Sequence, residues 1–505
     1  MIPRTSIAML ISLAMLVPLD GCISVIDVGA NDHMAGAGVG GGVSTASSSA
    51  ADSSSASTSN GSTSGSGGQG GAAPIPTGDH LWSRIYGDAS GEQIATAIAT
   101  DASGNVIVAG TFSGAIDLGS GSVMSNGTDA FVAKLDPLGS MLWSRTFTGL
   151  GSQIVGGVAT DAAGNVIVIG TTAGSASFGG PTLTSAGSQD VYVVKLDASG
   201  AHQWSKLFGD AADQVGYGIA VTSSGDIAIA GTYGGTIDLG SGAMTSKGFG
   251  SAFVARLDGK GNPQWSHSYG ETGTTVAIGV TFDPAGDVLW TGQGSGAIDL
   301  GQGITPGMGG QDVLVAKLST TGSPQWGKRY GDPSDQFGHG IATDKAGNVV
   351  VVGGFAGSIN FGGSSFNAGT TRNGFAVKID ATGEHLWSRA YGDSAGIQYL
   401  NGVAIDHLGY AIVVGGFAGS LDAGNGTTLT SAGSDDVVAI KLDAAGSTSW
   451  AHRYGDSAEQ FAYAVAVDST GSVVLCGSVM GAIDLGGGAL TSAGGRDAWV
   501  AKLAP

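Results

Sequence analysis

Hydrophobic positions along this chain fall in short runs, and none forms a sustained helical stripe. The segment from Trp326 to Leu386 shows the pattern: WGKRYGDPSDQFGHGIATDKAGNVVVVGGFAGSINFGGSSFNAGTTRNGFAVKIDATGEHL. Four apolar, β-rich runs (GIAT, VVVVGGF, FAVKID and, just after, LWSRAYG) are separated by turn chemistry, which predicts four strands. The first two are joined by Asp344-Lys345-Ala346-Gly347 and the last two by Asp380-Ala381-Thr382-Gly383. Asp-x-x-Gly between strands predicts a type I turn closed by a left-handed residue, a conformation open to Gly without steric cost. The other two connections are long. YGDPSDQFGH leads into the first run, and AGSINFGGSSFNAGTTRNG, which predicts a small hairpin, joins the second to the third. Alternate connections of an up-and-down sheet lie at opposite ends. Both tight turns therefore belong to one face, and both long loops to the other.

The unit recurs. Trp82, Trp143, Trp204, Trp265, Trp326, Trp387 and Trp450 open seven copies spaced 61 residues apart, the last step being 63. A period this long marks a propeller, a solenoid or an array. Four-stranded sheets with two faces to bury are satisfied in a ring. The first turn recurs from Asp101/Gly104 to Asp468/Gly471, with Thr222 replacing the Asp once. A lone fourth-type strand, Leu81 to Tyr86, precedes the first complete unit, and the last unit stops after its third run, Trp499 to Leu503. The expected fold is all-β: a seven-bladed β-propeller of four-stranded antiparallel blades, the last blade closed by the N-terminal strand through pairing of residues 81–86 with 498–503.

Composition narrows the setting. Gly numbers 93 without a Gly-X-Y period, which excludes collagen. The net charge of −20 disfavours nucleic acid and anionic lipid surfaces as partners. Near the N-terminus Arg4 precedes a mostly apolar stretch, Ile7 to Leu19, too short to span a bilayer and suited to a signal-peptide core. It ends in Leu19-Asp20-Gly21-Cys22, which resembles the bacterial lipoprotein signal motif; Asp20 departs from the small or apolar residue usual there. That resemblance implies lipidation at Cys22. Residues 31–77 are Gly, Ser, Ala and Thr with little else, the composition of a flexible tether whose root-mean-square reach is roughly 35–40 Å. The expected domains are a signal peptide (1–21), an anchor region (22–30), the tether (31–77) and the propeller (78–505). With Cys22 lipidated, Cys476 has no disulfide partner and reads as a small core residue.

The recurring run GxIDLGxxxLTSAGxxDxFVAKLDxxGxxxWSRxYGD resembles the bacterial β-propeller repeat family often called SBBP. Ile483-Asp484-Leu485-Gly486, Leu490 to Gly494, Asp497 and Ala501-Lys502-Leu503 carry it here, and the similarity extends over 80–505. The resemblance implies an exported, surface-attached bacterial protein and no shared catalytic site.

A basic residue stands in every third strand: Lys134, Lys195, Arg256, Lys317, Lys378, Lys441 and Lys502. Each is expected to pack its stem between blades and pair with a carboxylate, because a buried charge needs a partner. Asp117, Asp238, Asp299, Asp422 and Asp484 are expected to cap hairpin turns; a calcium loop would need more oxygens gathered together. A Gln opens most first strands: Gln93, Gln153, Gln214, Gln336, Gln398 and Gln460, with Thr275 in the fourth unit. It reads either as a loop-supporting hydrogen bonder or, at Gln93, Gln214, Gln336 and Gln460, as part of a ligand surface. Three residues on, the units diverge: Thr96, Gly156, Tyr217, Ile278, His339, Asn401 and Tyr463. Variation at one position of a repeat marks Tyr217, His339, Asn401 and Tyr463 as candidate ligand-binding residues on the long-loop face. None of the eight His lies in a zinc-protease, metal-cluster or nucleophile-elbow pattern. No catalytic residue, metal or cofactor is expected. The functional expectation is a monomeric, lipid-anchored binding or scaffold module for protein or glycan at the outer membrane or cell surface. The alternatives are an extracellular polysaccharide hydrolase or lyase, or an outer-membrane assembly component.

Overall fold

The structure is a computed structural model that describes residues 78–393 and 396–505. The expected signal segment, Cys22 and the tether lie outside the described residues. Among the described residues every regular element is a β-strand.

Five sheets are four-stranded and antiparallel, and the strands of the first two units are joined in one ten-stranded sheet through a short parallel pairing of Gly127–Leu135 with Gly149–Thr160. In the third unit the strands are Gln214–Val221, Ile227–Tyr233, Ser251–Leu257 and Pro263–Tyr269, paired in chain order. The long second-to-third connection folds out as a two-stranded ribbon, Thr236–Asp238 with Ala243–Thr245. In the fifth unit that ribbon is continuous with the sheet, so the strands lengthen to Val349–Asn360 and Ser365–Ile379. The ribbon Asp residues cap turns: Asp117 Oδ1 accepts the amides of Gly119 and Gly121 at 2.7 and 3.1 Å.

The first strand in the chain, His80–Tyr86, pairs antiparallel with the last, Asp497–Leu503, with Trp82 opposite Lys502 and Tyr86 opposite Ala498. It becomes the outer strand of the sheet that begins at Gln460–Val467.

Second and third strands are buried over most of their length, as continuous apolar runs such as VVVV and DVLVAKL require. Apolar clusters lie between sheets rather than within one. One joins Ile169 and Val191 to Ile229 and Phe253; another joins Phe112 and Phe131 of the first unit to Cys476 and Val500 of the last. The first strand of each unit touches the first strands of its two neighbours, Gln93–Thr100 meeting Gln460–Val467. The arrangement is propeller-like.

The unit-opening Trp residues stitch sheet to sheet. Trp82 Nε1 donates to Pro137 O at 3.0 Å, and Trp143 Nε1 to Ala198 O at 3.0 Å, each reaching a second tight turn of the following unit. Gly at the end of that turn is required twice over. Gly139 has φ of +80°, and a Cβ there would meet the Trp82 ring at 2.6 Å.

The basic residues do what burial demands. Lys134, Lys195, Lys317, Lys378, Lys441 and Lys502 bind the first-turn carboxylates of Asp101, Asp161, Asp283, Asp344, Asp406 and Asp468 at 2.7–3.0 Å. Several also donate into the next unit, as Lys195 does to Gly259 O at 3.1 Å. These groups are structural and closed to ligands.

Candidate functional site

The divergent position has a structural definition. In every first strand the pairing register slips around it: between Ala95 and Ala97, Val155 and Gly157, Gly216 and Gly218, Ala277 and Gly279, Gly338 and Gly340, Leu400 and Gly402, and Ala462 and Ala464. Thr96, Gly156, Tyr217, Ile278, His339, Asn401 and Tyr463 are therefore bulge residues. A bulge leaves one residue out of the ladder and re-aims its side chain.

Three polar bulge residues serve the neighbouring unit, whereas the Tyr463 hydroxyl lies 3.3 Å from Ser478 Oγ in its own sheet. Thr96 Oγ1 donates to Val155 O at 3.1 Å, and Asn401 Nδ2 donates to Ala462 O at 2.9 Å. His339 Nδ1 lies 2.9 Å from Leu400 O, a contact that requires the proton on Nδ1. In each case the acceptor immediately precedes the next unit's bulge. Of the residues expected to meet a ligand, His339 and Asn401 are 4% and 5% exposed, each with one side-chain nitrogen bonded to the adjacent unit. Burial, with a smaller contribution from nearby Arg372, pushes the His339 imidazole down to about 4, against the opposing effect of the Leu400 carbonyl.

The Gln residues are likewise bonded within the fold. Gln93, Gln214, Gln336 and Gln460 are fully buried. Gln336 Nε2 donates to Asp332 Oδ1 at 2.7 Å and to Ala356 O at 3.0 Å, while its Oε1 accepts the Asp332 amide at 3.2 Å. Asp332 in turn accepts the Ser358 amide at 2.6 Å. Gln214 with Asp210 and Gln460 with Asp456 repeat this clamp, and Gln93 donates to Ser113 O and Ala115 O, both at 3.0 Å. The clamps hold the long loops in place.

Tyr217 and Tyr463 are half-buried. Around Tyr463 the structure gathers an aromatic sector that sequence reading missed. Phe461 lies parallel to Tyr463 at 6.1 Å between ring centroids and to Tyr399 of the preceding unit at 6.3 Å. The Arg496 guanidinium sits over Phe461 at 5.3 Å and is bridged to Glu459. Beside this pair, burial together with the charges of Glu459 and Asp436 pushes the Asp435 carboxyl up to about 6, against the pull of Arg496. The signal was available: the residue after the Gln is Ile or Val in the first four units, and Phe337, Tyr399 and Phe461 in the last three. Exposed apolar side chains, Leu150, Phe249, Met308 and Ile397, stand on long loops at the same end.

No described protein family matches the chain. It is similar to an uncharacterized WD repeat-containing protein of Acanthamoeba polyphaga mimivirus, 21% identical across 79% of this chain and spanning 36% of that relative's length. Among solved structures it is similar to virginiamycin B lyase from Staphylococcus aureus, 10% identical with a TM-score of 0.41, covering 83% of this chain and 99% of that one. It is also similar to the Pan2 WD40 domain of Neurospora crassa, 12% identical with a TM-score of 0.39, covering 84% of this chain and 97% of that one.

Proposed function

We propose that the chain is a seven-bladed, closed propeller, held to a bacterial envelope by a lipid on Cys22, that acts as a non-catalytic binding module for protein or glycan. Closure is supported by the His80–Tyr86 pairing and by the Gln93 amide, which donates to Arg496 O across the two ends of the chain at 2.7 Å. Anchoring rests on Leu19-Asp20-Gly21-Cys22 and the Gly/Ser tether. Cys22→Ser should move the protein from the membrane to the soluble fraction; a soluble wild type would sink that part.

The binding face is the long-loop end, and the observation that carries it is the half-buried Phe461–Tyr463 pair under Arg496, with the buried Tyr399 packed behind Phe461. Rings with polar tips give contact area at low entropic cost, on loops held by a rigid scaffold. Binding of the full-length protein to arrayed envelope glycans and peptides tests this. Tyr217→Ala with Tyr463→Ala should weaken a hit at least about tenfold, whereas Ala102 and Ala163, on opposite-face turns, should tolerate substitution. Loss of binding on turn substitution, with the Tyr pair silent, would place the partner on the other face.

The second reading, a polysaccharide hydrolase or lyase, is favoured by Asp435 and Glu459, two carboxyls in unlike environments beside those rings. Depolymerising activity abolished by Asp435→Asn would promote it over the binding module.

A further inference from the structure

The third unit breaks the repeat at its first tight turn, and a cavity lies where it does. At three of the first turns an Asp of the preceding unit lies near the turn Gly: a Cβ at Gly104, Gly164 or Gly347 would lie 3.9, 3.6 or 3.8 Å from Oδ2 of Asp468, Asp101 or Asp283. At Gly286, in the unit that follows Thr222, a Cβ would meet only Thr320 Cγ2, at 3.6 Å. Beside it is a cavity of about 560 Å³ bounded by the first turns of three successive units. It lies at the end opposite the long loops.

Its lining differs from every other part of the turn face. The Thr222 and Ser224 hydroxyls lie 2.8 Å apart and Thr343 adds a third, whose proton goes to Phe282 O at 2.7 Å, so the wall offers a hydroxyl oxygen as an acceptor. Phe282 is the single aromatic residue that ends any first strand, where the other units have Thr, Val or Ile. The Arg256 guanidinium lies over its ring at 5.4 Å. Arg256 Nε is buried with no hydrogen-bond partner, although the other two nitrogens are taken by Asp226 and by Gly286 O. Lys345 at the rim is exposed and makes no ion pair among the described residues. The carboxylates that reach the cavity wall, Asp283 and Asp344, are neutralised by Lys317 and Lys378 at 2.7 and 2.9 Å. The unspent charge of the wall is therefore positive, in a protein of net charge −20.

We propose that this cavity binds a small sugar acid. The hydroxyl and backbone walls suit the sugar's hydroxyls, the Phe282 ring suits its C–H face, and Lys345 suits its carboxylate. The volume is in the range of small-molecule sites, about 300–1,000 Å³.

Titration calorimetry on the full-length protein with glucuronate, glucose and acetate tests this. Glucuronate should bind, with glucose and acetate at least about tenfold weaker. Lys345→Gln should weaken glucuronate about tenfold. The triple variant Thr222→Asp, Asp226→Asn, Arg256→Lys, which restores the regular turn, should lose binding while keeping its melting transition. Absence of glucuronate binding up to about 10 mM, or undiminished binding in either variant, overturns the proposal. Should the triple variant misfold, Lys345→Gln decides alone, because that residue is exposed and unpaired.

Discussion

The guanidinium of Arg256 lies 2.9 Å from the carboxylate of Asp226, and this pair stands where the other six units place Lys and the first-turn Asp. Three positions have changed together. Thr222 vacates the head of the turn, Asp226 takes the place held by Asn105 or Asn165 elsewhere, and the longer Arg reaches the relocated charge. The charge balance between units survives although the residues that make it do not. Asp226→Asn should leave Arg256 buried without a counterion, at a cost of about 2–4 kcal/mol. Restoring Lys at 256 and Asp at 222 in the same chain should recover most of the loss. A melting curve unmoved by Asp226→Asn would show that the pair contributes nothing.

Much of this architecture was legible because the repeat states each rule seven times. Asp-x-x-Gly marked most of the turns, and a basic residue on every third strand announced a buried partner. The period placed Trp82 in register with Trp450, so the out-of-phase ends pointed to Leu81–Tyr86 pairing with the last strand. The bulges were not legible. An extra residue in a ladder is defined by its pairing partner, and the local sequence around His339 or Asn401 alternates much as an ordinary strand does. Their variability was visible; its cause, a neighbouring carbonyl to be satisfied, depends on register. The cavity was hidden for a similar reason. Thr222 was visible as an exception, but the cavity beside it forms only where three turns separated by about sixty residues meet.

His339 gives a pH dependence with a definite sign. Its imidazole ordinarily titrates near 6.5 and is pushed down to about 4 in the folded protein, first by burial and then by the charge of Arg372. The unfolded chain therefore binds a proton that the folded chain refuses. The contribution to stability is complete above the unfolded value and is lost as pH falls from about 6.5 to about 4, up to about 3 kcal/mol. His339→Asn keeps a donor for Leu400 O, as Asn401 does for Ala462 O, and removes the titration. The variant should show a shallower fall in melting temperature across that window. Parallel pH profiles for the two proteins would mean that His339 is not held neutral by the fold.

The proposed closure makes the strongest demand on the N-terminal strand. Trp82 is 7% exposed, packs against the turn at Gly139 and donates to Pro137 O, so it belongs to the first unit's boundary as well as to the last sheet. Arg84 Nε donates to Gly139 O at 3.1 Å beside it. Trp82→Ala should cost about 3–5 kcal/mol through the lost contacts and the cavity left behind. Deleting residues 78–90 removes more: the Asp497–Leu503 edge is left unpaired, the cluster joining Phe112 to Cys476 opens, and the Gln93 amide is uncapped or displaced. An exposed, flat, apolar edge is an invitation to pair with another chain. The deletion should therefore broaden the unfolding transition and drive aggregation, while Trp82→Ala lowers the midpoint and leaves the protein monomeric. A sharp, unshifted transition after the deletion would mean that the units hold together without the ends meeting, and the chain would then be an open array.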